Sequence, residues 1–190
     1  MIYYIDFDRT IFNTKLFLED LCDILEEYHI PKDKFIEKTS ETEEFNPFKI
    51  LRLMKDEYPY NSSLLVDIER LLKSSSVYLY YDALKFLRDL KKNNNQIILL
   101  TKGDEDFQNC KIDNCGIRKI FDKVIITHED KGNLDINYQG IFIDDKKEEI
   151  ESILKRKPYK VYLIDRDNKD NLINDSNINT IHSLSEIIIN

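Results

Sequence analysis

The chain is short of the features that mark several protein classes. Its three cysteines, Cys22, Cys110 and Cys115, are odd in number and form no C-x-x-C pair, which argues against a disulfide framework or a zinc knuckle. They read as buried or incidental thiols. His29, His128 and His182 share no metal-ligand spacing, so surface or structural roles are expected for them. No apolar run reaches the length of a membrane span. The opening MIYYIDFD has neither a basic leader nor a long apolar segment, and a cytoplasmic protein without a secretory signal is expected. A basic patch is missing too: 28 Lys and Arg stand against 36 Asp and Glu, a net charge of -8, which disfavours nucleic-acid backbones and anionic membranes. Any anionic substrate would need a local source of positive charge. There is no internal repeat and no long low-complexity tract.

What is there describes a folded domain. With 190 residues, 42% of them hydrophobic and 34% charged, the chain can bury one core and carry a modest insertion, but hardly two independent units. Five short runs rich in β-branched and aromatic residues, beginning with YYIDF and continuing with QIILLT (96 to 101), KVIIT (123 to 127), GIFID (140 to 144) and KVYLID (160 to 165), are near-continuously apolar. A parallel sheet covered by helices on both faces demands that pattern. NTIHSLSEIII (179 to 189) is a further candidate for an edge strand and a last short helix. Between strands, residues 81 to 92 place Leu84, Phe86, Leu87 and Leu90 at helical spacing before Asn93, Asn94 and Asn95 stop the pattern. Residues 144 to 157 do likewise with Ile150, Ile153 and Leu154, acidic residues leading and basic ones following. These are βα units of a doubly wound, mainly parallel α/β sheet.

Residues 13 to 78 break the rhythm with consecutive amphipathic helical segments and no convincing strand. Asn46 before Pro47 and Asn61 before Ser62 read as helix N-caps. The expected organisation is a core of residues 1–12 and 79–190 with an all-helical insertion at 13–78, returned through the polar KSSS stretch (73 to 76).

On this map the unusual polar residues fall at the carboxyl ends of strands, where ligands bind in open α/β sheets. Asp6 and Asp8 follow the first strand, Thr101 and Lys102 the second, Lys131 lies just beyond the third, and Asp144 with Asp145 closes the fourth. Lys123 is a rival to Lys131, but it precedes its strand and would sit at the wrong end of the sheet. In order, IDFDRT, LLTKG, HEDKG and FIDDKKEEI resemble the four motifs of the haloacid dehalogenase superfamily, which consists mostly of phosphohydrolases. The helical insertion resembles that superfamily's cap.

The resemblance implies a Rossmann-like sheet of order 5-4-1-2-3 and a Mg²⁺-dependent hydrolase of a small phosphomonoester. By the same resemblance Asp6 is the nucleophile that forms an aspartyl-phosphate, and Asp8 is the general acid and base. Thr101, Lys102 and Lys131 bind the phosphoryl oxygens. The metal is held by Asp6, the backbone carbonyl of Asp8 and one of Asp144 and Asp145. Aligning FIDDKKEEI on its apolar frame favours Asp145 as the direct ligand, with the reverse assignment open. Arg9 stands where the superfamily often has Gly, and is either a phosphate or leaving-group contact or a solvent-directed side chain. For Asp8 to act beside Asp6, the backbone must turn immediately after the strand, because side chains two apart share one strand face. The short stretch from Lys131 to Gly140 suits a turn in place of a helix. A dehalogenase shares the nucleophile but needs neither an acid at Asp8 nor an acidic pair. The motifs also admit a phosphomutase, or a non-catalytic binding protein on the same fold. In a receiver-type signalling module the acidic pair and the phosphorylated Asp come in the opposite chain order. The expected partner is a small phosphorylated metabolite.

Overall fold

A computed structural model describes residues 1–167 and 178–189; residues 168–177 and 190 of the expected core range lie outside the described residues. In chain order the elements are β1 (Ile2–Ile5), α1 (Thr14–Glu27), α2 (Lys32–Thr39), α3 (Pro47–Met54), α4 (Ser62–Lys73), α5 (Ala83–Lys92), β2 (Gln96–Lys102), α6 (Glu105–Asn114), β3 (Lys123–Thr127), β4 (Ile141–Asp144), α7 (Lys147–Leu154), β5 (Lys160–Ile164) and β6 (Ile178–Ile181). They fall into two compact units. One comprises Met1–Asn13, Leu79–Lys102 and Ile117–Asn190; the other comprises Thr14–Tyr78 and Gly103–Gly116. Residues 103 to 116, which the expected boundaries leave in the core, thus group with the inserted helices.

The first unit is built on a sheet of order β3-β2-β1-β4-β5-β6, with every pairing parallel. The expected order 5-4-1-2-3 is therefore incomplete by one strand. β6 is the half-polar INTI, a weak strand pattern by itself, and it forms by pairing with β5 through Val161 opposite Ile178 and Ile164 opposite Ile181. β1 lies between β2 and β4, and its Tyr3, Tyr4 and Ile5 are buried. One face packs Tyr4, Ile98, Leu100, Phe142, Val161 and Leu163 against Ile150 and Ile153 of α7 and against Tyr138. The Tyr4 and Phe142 rings stack at 4.5 Å.

The asparagine run ends α5 as expected and by a definite mechanism. Asn94 adopts φ 56°, its N–H reaches the Lys91 carbonyl, and the Asn95 N–H reaches that of Leu90. This is the paired reverse bonding that usually requires glycine. Between Lys131 and Gly140 only a single 3-10 turn, Lys131–Asn133, forms.

In the second unit, Leu21 and Leu25 of α1, Phe35 of α2, Ile50 and Leu51 of α3 and Leu64 and Ile68 of α4 are buried. Asn46 caps α3, its side-chain oxygen accepting from Phe48 and Lys49 N–H. Its amide also donates to Asp104 Oδ1 at 2.9 Å, the same oxygen that caps α6 through Phe107 N–H. Lys49 Nζ closes the group on Asp104 Oδ2 at 2.5 Å.

Candidate active site

Parallel register brings the acidic residues together. Ile5 pairs with Ile143, so the next residues, Asp6 and Asp144, leave neighbouring strands side by side; the Asp6 N–H donates to the Ile143 carbonyl at 2.9 Å. Both side chains are buried, and with Asp145 they bring carboxylate oxygens within 4.8 Å of one another. At about 4 Å two unit charges repel by roughly 4 kcal/mol even at an effective dielectric near 20. The chain answers with Lys131, whose Nζ donates to Asp6 Oδ1 at 2.6 Å and to Asp144 Oδ2 at 2.5 Å. Lys146 N–H donates to the other Asp144 oxygen at 2.9 Å. Asp145 pairs with Arg9 Nε at 3.2 Å, and Arg9 Nη2 lies 2.9 Å from Asp167.

The Lys131 ammonium is itself buried, and its place is fixed by the loop around it. Its N–H donates to Glu149 Oε2 at 2.8 Å, and the Tyr138 hydroxyl donates to its carbonyl at 2.7 Å. The next residue, Gly132, approaches α7 so closely that a Cβ would lie 2.4 Å from the Ser152 carbonyl oxygen. Any side chain there would push the lysine loop off the helix.

The electrostatics show too little positive charge for this many carboxylates. Burial is the largest cause raising the Asp6 carboxyl, with Asp144 and Asp8 adding to it and Lys131 opposing. Asp145 is also raised, first by burial, then by Asp6 and Asp144, against Arg9 and Lys146. Burial would lower the Lys131 ammonium, yet Asp144 and Asp6 more than offset it and its pKa rises. The acids Asp6, Asp8, Asp144, Asp145 and Asp167 outnumber the cations Lys131, Arg9 and the exposed Lys146 that act on them. Hard oxygen donors in surplus suit Mg²⁺, which takes one or two protein carboxylates and keeps waters for its other positions.

Of the sequence-predicted residues, Lys131 joins Asp6 and Asp144 by hydrogen bonds, Arg9 pairs with Asp145, and carboxylate oxygens of the three acids lie within 4.8 Å of one another. Thr101 is buried near the end of β2. Asp8 is half-buried, and the chain turns directly after it: Ile11 and Phe12 N–H both return to the Phe7 carbonyl, and Arg9 takes φ 58°. That is the immediate turn a role for Asp8 beside Asp6 demands. The Lys102 ammonium lies 2.7 Å from Asp130 and 3.3 Å from Glu149. Arg9, the other cation considered for substrate, rests on Asp145 and Asp167. Sequence reasoning passed over Glu149, buried in the first turn of α7.

Comparison with known proteins agrees with this geometry. The sequence pattern of haloacid dehalogenase-like hydrolases matches residues 3–133. No curated protein sequence matches the chain. Among solved structures, a haloacid dehalogenase-like hydrolase from Burkholderia xenovorans LB400 superposes with a TM-score of 0.76 at 20% identity, covering 97% of this chain and 93% of its own. A HAD-hydrolase from Bacillus subtilis, bound to magnesium, gives 0.66 at 15% identity over 97% and 95%. The L-2-haloacid dehalogenase from Xanthobacter autotrophicus gives 0.64 at 14% over 97% and 95%. At these identities the structures speak for the fold, while the sequence pattern, spanning more than half of the chain and including the first three motifs, shows the family. The chain belongs to the haloacid dehalogenase-like hydrolases.

Proposed function

We propose that the protein is a Mg²⁺-dependent phosphohydrolase acting on a small phosphomonoester through an aspartyl-phosphate on Asp6. The observation that carries the reading is the group of three carboxylates within 4.8 Å, with Lys131 bridging two of them. Displacement of a halide needs the Asp6 nucleophile alone. A carboxylate attacking a phosphate dianion needs compensating positive charge, and the acidic surplus around Asp6 is a place to hold it.

Asp6, Asp145 and Asp144, with the Asp8 carbonyl, would hold the ion. When bound, Mg²⁺ supplies the charge neutralisation that lets two anions meet. The remaining work belongs to the chain. An Asp6 oxygen forms a bond to phosphorus as the ester P–O bond breaks, and protonated Asp8 gives its proton to the departing alkoxide. Water then attacks the same phosphorus while the Asp8 carboxylate takes its proton, inorganic phosphate leaves, and Asp6 is regenerated. Proton transfer of this kind contributes typically about 10² to 10⁴ in rate. Lys131 and Thr101 would bind the transferring oxygens, Lys131 as a fixed charge aimed where negative charge gathers.

This reading carries with it a phosphorylated metabolite as partner and a cytoplasmic setting. Among the described residues no helix is long and apolar enough to cross a membrane. The test is release of phosphate from a panel of phosphorylated metabolites, with MgCl₂ and with a chelator. Turnover that depends on Mg²⁺ supports the reading; release of halide from a 2-haloacid without phosphatase activity would replace it.

A further inference from the structure

We propose that Arg9 is a positioning residue for Asp145: an internal cation that holds this carboxylate while no divalent ion is bound and withdraws onto Asp167 when one is. The inference rests on the reading of Asp6, Asp144 and Asp145 as a divalent-cation site, and it gives that site a built-in competitor.

Three observations lead to it. First, among the described residues the cations in salt-bridge contact with these carboxylates divide the work, Lys146 adding a weaker attraction to Asp145 without a salt bridge. Lys131 is committed to Asp6 and Asp144, and Arg9 is the side chain in salt-bridge contact with Asp145. Second, the Arg9 guanidinium is split between two acids by different nitrogens, Nε to Asp145 Oδ2 at 3.2 Å and Nη2 to Asp167 Oδ2 at 2.9 Å. Loss of the first contact leaves the second to hold it. Third, the backbone at Arg9 is in the left-handed region, φ 58°, fixed by its N–H donating to the Phe12 carbonyl at 2.7 Å. A residue with a Cβ is strained there, and in return this conformation carries a guanidinium to the rim of the acidic cluster. The Arg9 side chain is half exposed while that of Asp145 is nearly buried, so the arginine has room to move and the carboxylate does not.

A guanidinium remains charged at every working pH. Its hold on Asp145 Oδ2 therefore opposes any metal that needs the Asp145 carboxylate, and Asp167 weakens that hold by sharing the guanidinium. The two partners of Arg9 thus act on metal affinity with opposite signs.

The experiment is calorimetric titration of the chelator-treated full chain with MgCl₂ alone. Arg9→Gln should tighten Mg²⁺ binding roughly fivefold or more, and Asp167→Asn should weaken it by a similar factor, within the range of ordinary coupling between sites. A general field effect of adding or removing one charge would give the same signs, so the double variant decides. If Asp167 acts through Arg9, Asp167→Asn has no effect in the Arg9→Gln background; additive effects overturn the proposal. Arg9→Gly, whose backbone suits the left-handed conformation, repeats the measurement should Arg9→Gln fold poorly. Unchanged Mg²⁺ affinity in the Arg9 variants, with a raised KM for a phosphomonoester, would make Arg9 a substrate contact and overturn the inference while leaving the phosphohydrolase reading intact. Absence of Mg²⁺ binding by the unaltered protein would overturn both.

Discussion

Among the described residues of the first unit two buried aspartate clusters are opposites. At Asp82 one carboxylate oxygen receives Arg166 Nη1 at 2.7 Å, the Ser183 hydroxyl at 2.6 Å and the Leu184 N–H at 2.8 Å. Arg166 also donates to the Thr10 carbonyl and lies 4.0 Å over the Tyr80 ring. Burial raises the Asp82 carboxyl, but the bonds from Arg166 and Ser183 more than offset it, and its pKa falls. At Asp6 and Asp145 the sum goes the other way, and both rise. One cluster has a cation and neutral donors for a single acid. The other has more acids than its cations neutralise. The Asp82 pair is balanced in charge within the chain, even though Asp82 Oδ1 and Arg166 Nε find no hydrogen-bond partner, whereas a surplus like that around Asp6 destabilises the folded protein until something from outside relieves it.

The sharpest way to break this contrast is Asp6→Asn. Phosphate release from an aryl phosphate should fall by more than about 10³-fold, as for loss of a covalent nucleophile, with the circular dichroism spectrum retained. Undiminished turnover would sink the proposed mechanism. Next in size are two stability effects. Asp82→Ala leaves the Arg166 charge without its buried partner and should cost about 3 to 5 kcal/mol in urea unfolding. Lys131→Met strips the cation from two buried carboxylates and should cost a similar amount, but here MgCl₂ should narrow the gap to the unaltered protein, whereas for Asp82→Ala, which keeps the site intact, MgCl₂ should stabilise both proteins alike and leave the gap unchanged.

The pH dependence separates the clusters by a gentler perturbation. Asp6 and Asp145 are raised, to about 7 and about 8, from the ordinary aspartate value of 3.8. Across the interval between, the metal-free folded chain binds more protons than the unfolded one, so its stability falls as pH rises. The melting temperature in chelator should therefore decline from about pH 5 to about pH 8, and MgCl₂ should flatten the decline. Asp82 is depressed from the same ordinary value of 3.8, so its contribution is fully present above that value and is lost as pH falls through the folded one. Asp82→Asn should accordingly remove stability at neutral pH and reduce acid sensitivity below about pH 4. The smallest effect is Ser183→Ala, which removes one of the donors to Asp82 and should cost about 1 kcal/mol with turnover unchanged.

The two clusters also differ in how far they can be read from sequence. Asp6 and Asp144 each end a run of apolar residues, and a parallel register aligns those ends, so local pattern already carries their meeting. The asparagine stop of α5 and the caps at Asn46 and Asn61 are legible for the same reason: each signal and its effect lie within one turn. Asp82 and Arg166 are separated by 84 positions and have no periodic frame, so nothing local announces their contact. Glu149 lies inside the fourth motif, but its target is the backbone of Lys131, which no residue pattern encodes. The stretch from 179 does supply the expected edge strand and a short final helical turn, although the order 5-4-1-2-3 left that strand out: Asn179 and Thr180 dilute its strand character, and pairing with β5 supplies what the side chains do not.

The shared capping of α3 and α6 by Asn46 and Asp104 has a practical consequence for anyone redesigning this chain. Two helix ends that lie 58 positions apart are stitched by one amide, so the helical unit is not a cassette that a single cut can lift out. Deleting residues 14 to 78 would strand α6, still tethered between β2 and β3, with its cap partner and apolar neighbours gone. A stripped-down variant would have to replace both stretches at once.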